Sequence, residues 1–557
     1  MLFRVSRYAL ILASLMFPLA ASGQLSPGAT RDLGGPEEQF EVRPKSGIQL
    51  QAPAVRSVPL MLHGAALIER IRFEGLTAFS PSVLEPVVAP WLGKPLMAIE
   101  LTALVDAITA FLRERGLYSA FAQFPEQDVT EGTAVIRIIE GRIGRVEIQQ
   151  DTSRLRPAMA DGFLSSLQPG SLIARGVLDT PLLLLNDLPG VVAQSSLQPG
   201  AAPGTADLSV RIDDQPMVAG FVRIDNHQIR ELGEYELTGH LRLRSPLGLG
   251  DLATAEVVRS HTGGRTRGAL TYSLPVSYLG TRLGGLYSNQ RYRIGGAFEP
   301  LLATGDFDRF SAVVTHPFVR RDNANLGGSF AATSVDYHDR IDAVGFSRDS
   351  RHRFGTARLS GDRADTFWGG GSTAFYLEYQ AGDVSLRPPA VAAADSATLD
   401  AAGWFGRTRV YLERNQAMTA RSSVFAAWTA QFASKNLDLG REIELTGHEG
   451  VRAYPAGELI VDEGHLIRIE YRHALPIGEV WRTQGALFVD GARGRLNRNP
   501  LPGVTGNTRE LWGYGLSVLA ARNGLNAQVT LAWRGSKAPL TAPGRNPRFW
   551  FALTQYF

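Results

Sequence analysis

The segment Ile467-Arg468-Ile469-Glu470-Tyr471-Arg472 sets three large apolar side chains on one side of an extended chain and three charges on the other. The alternation returns in Leu237, Leu241 and Leu243 against Thr238, His240, Arg242 and Arg244. It recurs in Phe375, Leu377 and Tyr379 against Tyr376, Glu378 and Gln380, and in Val529, Leu531 and Trp533 around Thr530 and Ala532. A period of two marks strands with unlike faces. A soluble sandwich buries one face as its core and has no use for interior arginines. A large barrel with a wet lumen places apolar side chains against lipid and charges inside. Its ladder must close, because an open edge leaves backbone groups unsatisfied in hydrocarbon. Residues 216–557, where helical periodicity disappears, are therefore read as one transmembrane antiparallel β-barrel. The pattern by itself accepts about 14 to 18 strands.

The whole-chain numbers are compatible with that reading. Of 557 residues, 57 are Lys or Arg and 54 Asp or Glu, a net charge of +3, so no bulk charge draws the molecule to nucleic acid. With 59 glycines and 44% hydrophobic residues, the composition excludes a coiled coil, a collagenous chain and a mostly disordered one. A mean hydropathy of −0.06 excludes a polytopic helical membrane protein but not a barrel, whose alternating strands average out. There is no cysteine, hence no disulfide framework, thiol nucleophile or cysteine metal site.

Residues 1–23 read as a secretory signal peptide: Arg4 and Arg7, an apolar run from Tyr8 to Leu19, then small residues at Ala21-Ser22-Gly23. Residues 24–65 form a Pro-rich linker, since Pro27, Pro36, Pro44, Pro53 and Pro59 leave no room for a long helix between them. Residues 66–141 then show a strand-like run with Leu67, Ile68, Ile71 and Phe73. Ile99, Leu101, Leu104, Val105, Ile108, Phe111 and Leu112 follow at helical spacing as far as Gly116. Two strands are expected near Ala120–Phe124 and Ala134–Glu140. Residues 142–215 repeat the order, with a strand at Arg145–Gln149, a second helix near Val177–Leu188, and strands at Val191–Leu197 and Leu208–Ile212. The expected fold is thus two small α+β modules followed by a barrel.

Five strings carry a family resemblance. Arg115-Gly116-Leu117-Tyr118, Ala122-Gln123-Phe124-Pro125-Glu126-Gln127-Asp128-Val129 and Ile138-Ile139-Glu140-Gly141-Arg142-Ile143 resemble the first polypeptide-transport-associated (POTRA) domain of two-partner secretion transporters. These are the outer-membrane proteins of the haemolysin activation/secretion and filamentous haemagglutinin transporter type. Leu182 to Val191, containing Asn186-Asp187-Leu188-Pro189-Gly190, and Pro199-Gly200 resemble the second POTRA domain. The resemblance implies a barrel of about 16 strands. It implies a cell outer-membrane location with both modules in the periplasm, and a secreted partner exoprotein as client.

It also assigns candidate residues. Residues 435–460 make a long connection holding Val451-Arg452-Ala453-Tyr454-Pro455 and Gly457-Glu458. In this superfamily the matching loop folds back into the lumen and carries valine-arginine-glycine-tyrosine. Its partner motif matches Phe488-Val489-Asp490-Gly491. By alternation Phe488 and Asp490 share a face, and Asp490 points inward if Leu487 and Val489 meet lipid. An Arg452–Asp490 contact would latch the loop to the wall, a guanidinium fork suiting a carboxylate, with Tyr454 and Phe488 beside it. Ala453 stands where the commoner motif has glycine, so the backbone there needs no positive φ. A strand ending in Phe557 looks like the signal read by the barrel-assembly machinery. An edge along Val191, Val192, Ala193, Gln194, Ser195, Ser196 and Leu197 is the candidate for pairing with an extended client.

Catalysis finds no support in these residues. His448-Glu449 lacks the second histidine of a zinc-protease helix, no Gly-x-Ser-x-Gly elbow occurs, and Gly248-Leu249-Gly250 lies among strands. No enzyme activity, cofactor or metal is expected; outer-membrane lipid and the client are the expected partners, and the expected state is a monomer. Two rivals use similar parts: a barrel-insertion or assembly factor of the same superfamily, and a passive porin-like channel.

Overall fold

The computed structural model describes residues 65–557 apart from 130, 151, 152, 478, 479, 502, 504 and 542–544. The leader expected over 1–23 and the linker as far as residue 64 lie outside the described residues.

In the first module the strand Arg70–Glu74 runs parallel to Thr133–Ile139, which pairs antiparallel with Phe121–Gln123. Helix Ala98–Glu114 covers this sheet and buries Leu101, Leu104, Val105, Ile108 and Leu112, the three- and four-residue spacing of one helical face. It ends before Gly116, whose φ of +95° turns the chain away at a position where a side chain would be strained. In the second module Thr205–Asp214 lies between Arg142–Gln149 and Val191–Pro199, beneath helices Pro157–Leu164 and Arg175–Asn186. The first of these strands begins three residues earlier than alternation indicates. Its register shifts between Ile143 and Val146, and at the break the Arg145 N–H donates to Asp207 (3.0 Å). That bulge interrupts the period of two.

Short motifs join the parts. The buried Glu140 carboxylate accepts the Thr77 and Ala78 N–H groups (2.5 and 2.6 Å) and the Thr77 hydroxyl (2.5 Å). Gly141, at φ +78°, lies so close to Ser119 that a Cβ would stand 1.9 Å from its Oγ. From the other side, the Tyr118 hydroxyl donates to Asp179 in the second module (3.0 Å), and Gly116 accepts the Arg175 N–H (2.8 Å). Burial raises the Asp179 carboxyl above its ordinary value and raises the Tyr118 hydroxyl as well.

Sixteen strands then close a barrel in which chain neighbours are sheet neighbours. They are β1 (Val218–Asp225), β2 (Glu236–Arg244), β3 (Leu252–Ser260), β4 (Arg265–Pro275), β5 (Arg282–Arg293), β6 (Ala303–Arg320), β7 (Ala324–Ile341) and β8 (Phe346–Asp365). The second half comprises β9 (Gly371–Arg387), β10 (Gly403–Thr419), β11 (Ser422–Ala433), β12 (Glu463–Leu475), β13 (Arg482–Arg495), β14 (Thr508–Arg522), β15 (Leu525–Arg534) and β16 (Arg548–Tyr556). Outward positions such as Leu237, Phe330, Leu377, Ile467, Ile469 and Val489 are exposed apolar side chains, the surface a barrel offers to lipid. The inner wall carries paired charges: Arg265 with Glu236 (3.0 Å), Arg358 with Glu378 (2.5 Å) and Arg472 with Glu470 (2.7 Å). β6 shifts register between Pro317 and Val319, because proline cannot donate to the ladder. β16 pairs with β1 from Tyr556↔Phe221 to Ala552↔Asp225.

Candidate functional site: the lumen loop and the module edge

Residues 434–462 connect β11 to β12 and fold against the inside of the barrel. A hairpin of Ile443–Glu444 with Ile460–Val461 closes the neck. Beyond it Val451, Ala453, Tyr454 and Leu459 are buried in one cluster with Phe488 and Ala492 of β13, Leu511 of β14 and Ala532 of β15. The tip turns tightly at Gly447 (φ +91°), and a Cβ on Gly450 would strike the Leu445 carbonyl at 2.4 Å. The nearer arm is fastened to the wall on the other side of β11: the Arg407 guanidinium on β10 donates to the Arg441 carbonyl (2.7 Å), and Arg441 donates to Gln380 on β9 (3.1 Å) and to the Tyr337 hydroxyl on β7 (3.3 Å). The loop thus bridges the lumen from β9–β10 to β13–β15.

At its tip Arg452 is held from several sides. Nε and Nη2 donate to the two oxygens of Asp490 (2.8 and 2.7 Å), and the Arg452 backbone N–H donates to the same carboxylate (3.1 Å). Nη1 meets Glu470 on β12 (2.7 Å), and the guanidinium stands 3.5 Å from the centre of the Phe488 ring. The Arg452 carbonyl accepts from the Trp550 indole on β16 (2.7 Å). Asp490 is 0% exposed and Leu487 is 61% exposed, which places the carboxylate on the lumen side of β13. Tyr454 donates its hydroxyl to the Lys537 carbonyl (2.9 Å). Ala453 has no positive φ, and its methyl fills the space left by Gly513, where a Cβ would lie 2.3 Å away.

Sequence reasoning left several partners unassigned. Glu470 is one, although hairpin register could have found it: it lies opposite Phe488 and shares the inward parity of Asp490. Glu458 is another. Its buried carboxylate accepts Arg509 Nη2 (2.5 Å) and the N–H groups of Leu540 and Thr541 (both 2.9 Å), tying the returning arm to the β15–β16 connection. His448 stacks on His227 just beyond β1, with ring centres 3.7 Å apart; no sequence signal pairs those two.

The module edge is narrower than the candidate stretch. Gly200 donates to Thr205 and Gln215 to Gly190 (3.0 and 2.9 Å), so even-numbered residues of Val191–Pro199 face the inner strand. Odd-numbered residues turn their backbone groups outward. Of these, Val191 donates to Leu188 (3.1 Å), and Ala193 is taken by Asn186, which accepts its N–H (2.7 Å) and donates to its carbonyl (2.9 Å). That leaves the backbone of Ser195 and Leu197 as the outward-turned groups, while Val192, Gln194 and Ser196 bond inward. Ser195 and Leu197 themselves are 8% and 4% exposed, so a strand must approach edge-on. At the other end of the chain, Phe557 exchanges both backbone bonds with Gly220 (3.1 Å each) and leaves its ring exposed.

Residues 204–520 match the family model described as haemolysin secretion/activation protein ShlB/FhaC/HecB. The chain belongs to that family. Residues 66–141 match the POTRA domain, ShlB-type. The family chain is 26% identical over 424 residues to the heme/hemopexin transporter protein HuxB of Haemophilus influenzae, covering 75% of this chain and 73% of that one. It is 22% identical over 483 residues to the outer membrane transporter CdiB of Dickeya dadantii, covering 84% and 82%. In fold it matches CdiB from Escherichia coli with a TM-score of 0.73 at 19% identity, over 96% of this chain and 99% of that one. This ShlB/FhaC/HecB member is a two-partner secretion transporter of the outer membrane with its POTRA region in the periplasm, and it acts with a secreted exoprotein.

Proposed function

We propose that the second module takes up the unfolded partner as an added strand along Ser195–Leu197, and that the barrel passes it to the surface once the loop leaves the lumen. The observation that carries this reading is the loop: a long connection that bridges the lumen and is held at its tip by one arginine on two carboxylates. Such polar contacts exchange for water when broken, so the cost of opening falls mainly on the apolar cluster around Val451, Ala453, Tyr454 and Leu459. Main-chain pairing reads shape more than sequence, which suits a client captured before it folds. The residues over 142–215 act as the second POTRA unit and those over 435–460 as the gate. The transporter works as a monomer, and the Phe557 strand end is what the barrel-assembly machinery engages.

Proline at Ser195 or Leu197 tests the capture step. Each removes an outward N–H without touching the inner ladder; Leu197→Pro also removes a buried core side chain, so its result counts only where the module's melting transition is unchanged. We expect Ser195→Pro and Leu197→Pro to lower export at least fivefold with normal heat-dependent gel migration of the barrel. Export equal to the unaltered chain in both would defeat strand addition at this edge.

A further inference from the structure

We propose that Arg320 is a positioning residue for export: its grip on Asp187 sets the angle at which the second module presents its outward edge to the pore. The inference rests on the translocator reading above. Arg320 closes β6 at the periplasmic end. Its Nε and Nη2 donate to the two oxygens of Asp187 (2.7 and 2.9 Å), and Nη1 donates to the Arg321 carbonyl and to Asn325 on β7 (3.0 and 2.9 Å). Asn325 in turn donates to Asp362 on β8 (3.0 Å). Nη1 is held by these two barrel groups, so the fork of Nε and Nη2 is aimed before Asp187 arrives. The module reinforces the contact through Thr180, whose hydroxyl donates to the Arg320 carbonyl (3.2 Å).

On the module side the next residue back completes the linkage. Asn186 brackets the N–H and carbonyl of Ala193, two residues before the outward-turned backbone of Ser195. Barrel turn, Asp187, Asn186 and edge strand therefore form one rigid connection. Among the described residues, the module's other contacts with the barrel spread over the first and second periplasmic turns, with Leu184 beside Gly280 and Pro317. The Arg156 N–H donates to the Gly248 carbonyl in the first periplasmic turn (2.9 Å), and Phe163 meets Tyr278 edge-on in the second (5.6 Å). Arg320 stands five strands from β1, about 24 Å of wall at ordinary strand spacing. Contacts nearer β1 fix where the module sits, whereas the polar contact farthest along the wall, at Arg320, acts on its angle with the longest lever. Neither Asp187 nor Arg320 belongs to a hydrophobic cluster, and their side chains remain 35% and 19% exposed, so the pair serves the joint rather than a core.

The cysteine-free sequence makes the test clean. Spin labels at Gln198→Cys on the module edge and Ala420→Cys on a periplasmic turn across the barrel report their separation in the full chain in liposomes. In the native cell, proteins released to the medium are compared by mass spectrometry with a strain lacking the transporter. We expect one narrow distance distribution in the parent, a distribution at least twice as broad in Arg320→Ala and in Asp187→Ala, and a return toward the parent width in the charge swap Asp187→Arg with Arg320→Asp. Export of the partner should fall at least tenfold in the single variants and recover to at least half in the swap, with heat-dependent migration unchanged in all. An unchanged distribution in Arg320→Ala, or undiminished export despite broadening, would overturn the proposal alone. A parent that releases no protein beyond the deletion strain would overturn the translocator reading, and the proposal with it.

Discussion

Removing the Arg452 side chain should free the lumen loop, and the cost can be worked from its partners. Without the guanidinium, Asp490 at 0% exposure keeps only the backbone N–H of residue 452 (3.1 Å), whereas Glu470 keeps Arg472 (2.7 Å). Breaking a buried pair so that one charge is orphaned costs about 3–5 kcal/mol, or roughly 150- to 4,000-fold in the latched population. Asp490→Ala is milder, because Arg452 retains Glu470 and the Phe488 face; about 1–3 kcal/mol, or roughly 5- to 150-fold, is expected. The double variant orphans nothing and should resemble Asp490→Ala, less damaged than Arg452→Ala alone. Val451, 0% exposed beside the arginine, supplies the assay once replaced by cysteine in a chain that has none. Its rate of modification by a water-soluble thiol reagent, in excess reagent and fast reclosing, scales with the fraction of time the loop is withdrawn. The order expected is parent, then Asp490→Ala and the double variant together, then Arg452→Ala fastest. A rate in Arg452→Ala within threefold of the parent would show that the arginine does not hold the loop.

Gly513→Ala should loosen the same loop by pressing a methyl against Ala453, and Ala453→Gly should relieve that part of the crowding, though not the contact with the Trp533 carbonyl (2.8 Å); the same modification rates read both, and a double variant no slower than Gly513→Ala would show that Ala453 is not what the methyl displaces. Asp179→Asn should raise the melting temperature of the full chain's periplasmic transition at pH 7. Burial lifts the folded carboxyl above its ordinary 3.8, so the stabilisation from its proton is full below that value and is lost as pH rises through the folded one. Calorimetry should find the advantage of the asparagine shrinking as pH falls toward 3.8, and a gain that grows on acidification would contradict this sign. Deleting Phe557 removes the two backbone bonds to Gly220 and should slow barrel assembly severalfold, seen as accumulation of the heat-insensitive unfolded band; assembly at the parent rate would remove Phe557 as a required end.

Period-two alternation made the barrel legible, because a strand with lipid on one side and water on the other is forced to alternate. Nothing in alternation counts strands, and sixteen came with the family resemblance. Pairing Arg452 with Asp490 likewise came from the resemblance; parity contributed only that Asp490 faces inward. The partners that parity could have reached, such as Glu470, lie on the neighbouring strand in known register. Those out of its reach belong to elements far apart in the chain. Asp187 and Arg320 are 133 positions apart and share no pattern, and His227 with His448 is a contact of two connections. The narrowing of the module edge was hidden for a different reason. Whether an edge residue's backbone is open depends on which neighbours turn inward and on where one asparagine side chain lands, and neither leaves a trace in hydrophobicity.

The proposed gate, built from a buried arginine and two carboxylates, looks wasteful if stability is the aim. Apolar replacements of such ion pairs are often as stable or more so. The choice makes sense for a plug that must leave. An apolar tip held by burial alone would expose its whole surface, and the matching wall, each time the passage opened. Arg452, Asp490 and Glu470 separate into groups that water solvates well, so withdrawal recovers most of the desolvation spent in closing. The apolar contacts at Val451, Ala453 and Leu459 then set the resting depth of the loop, while the ionic clamp sets its register, because a shift by one residue strands a charge. In the proposed role, Arg320 and Asp187 follow the same reasoning at the periplasmic joint: a forked, partly exposed pair defines one angle without adding to a core.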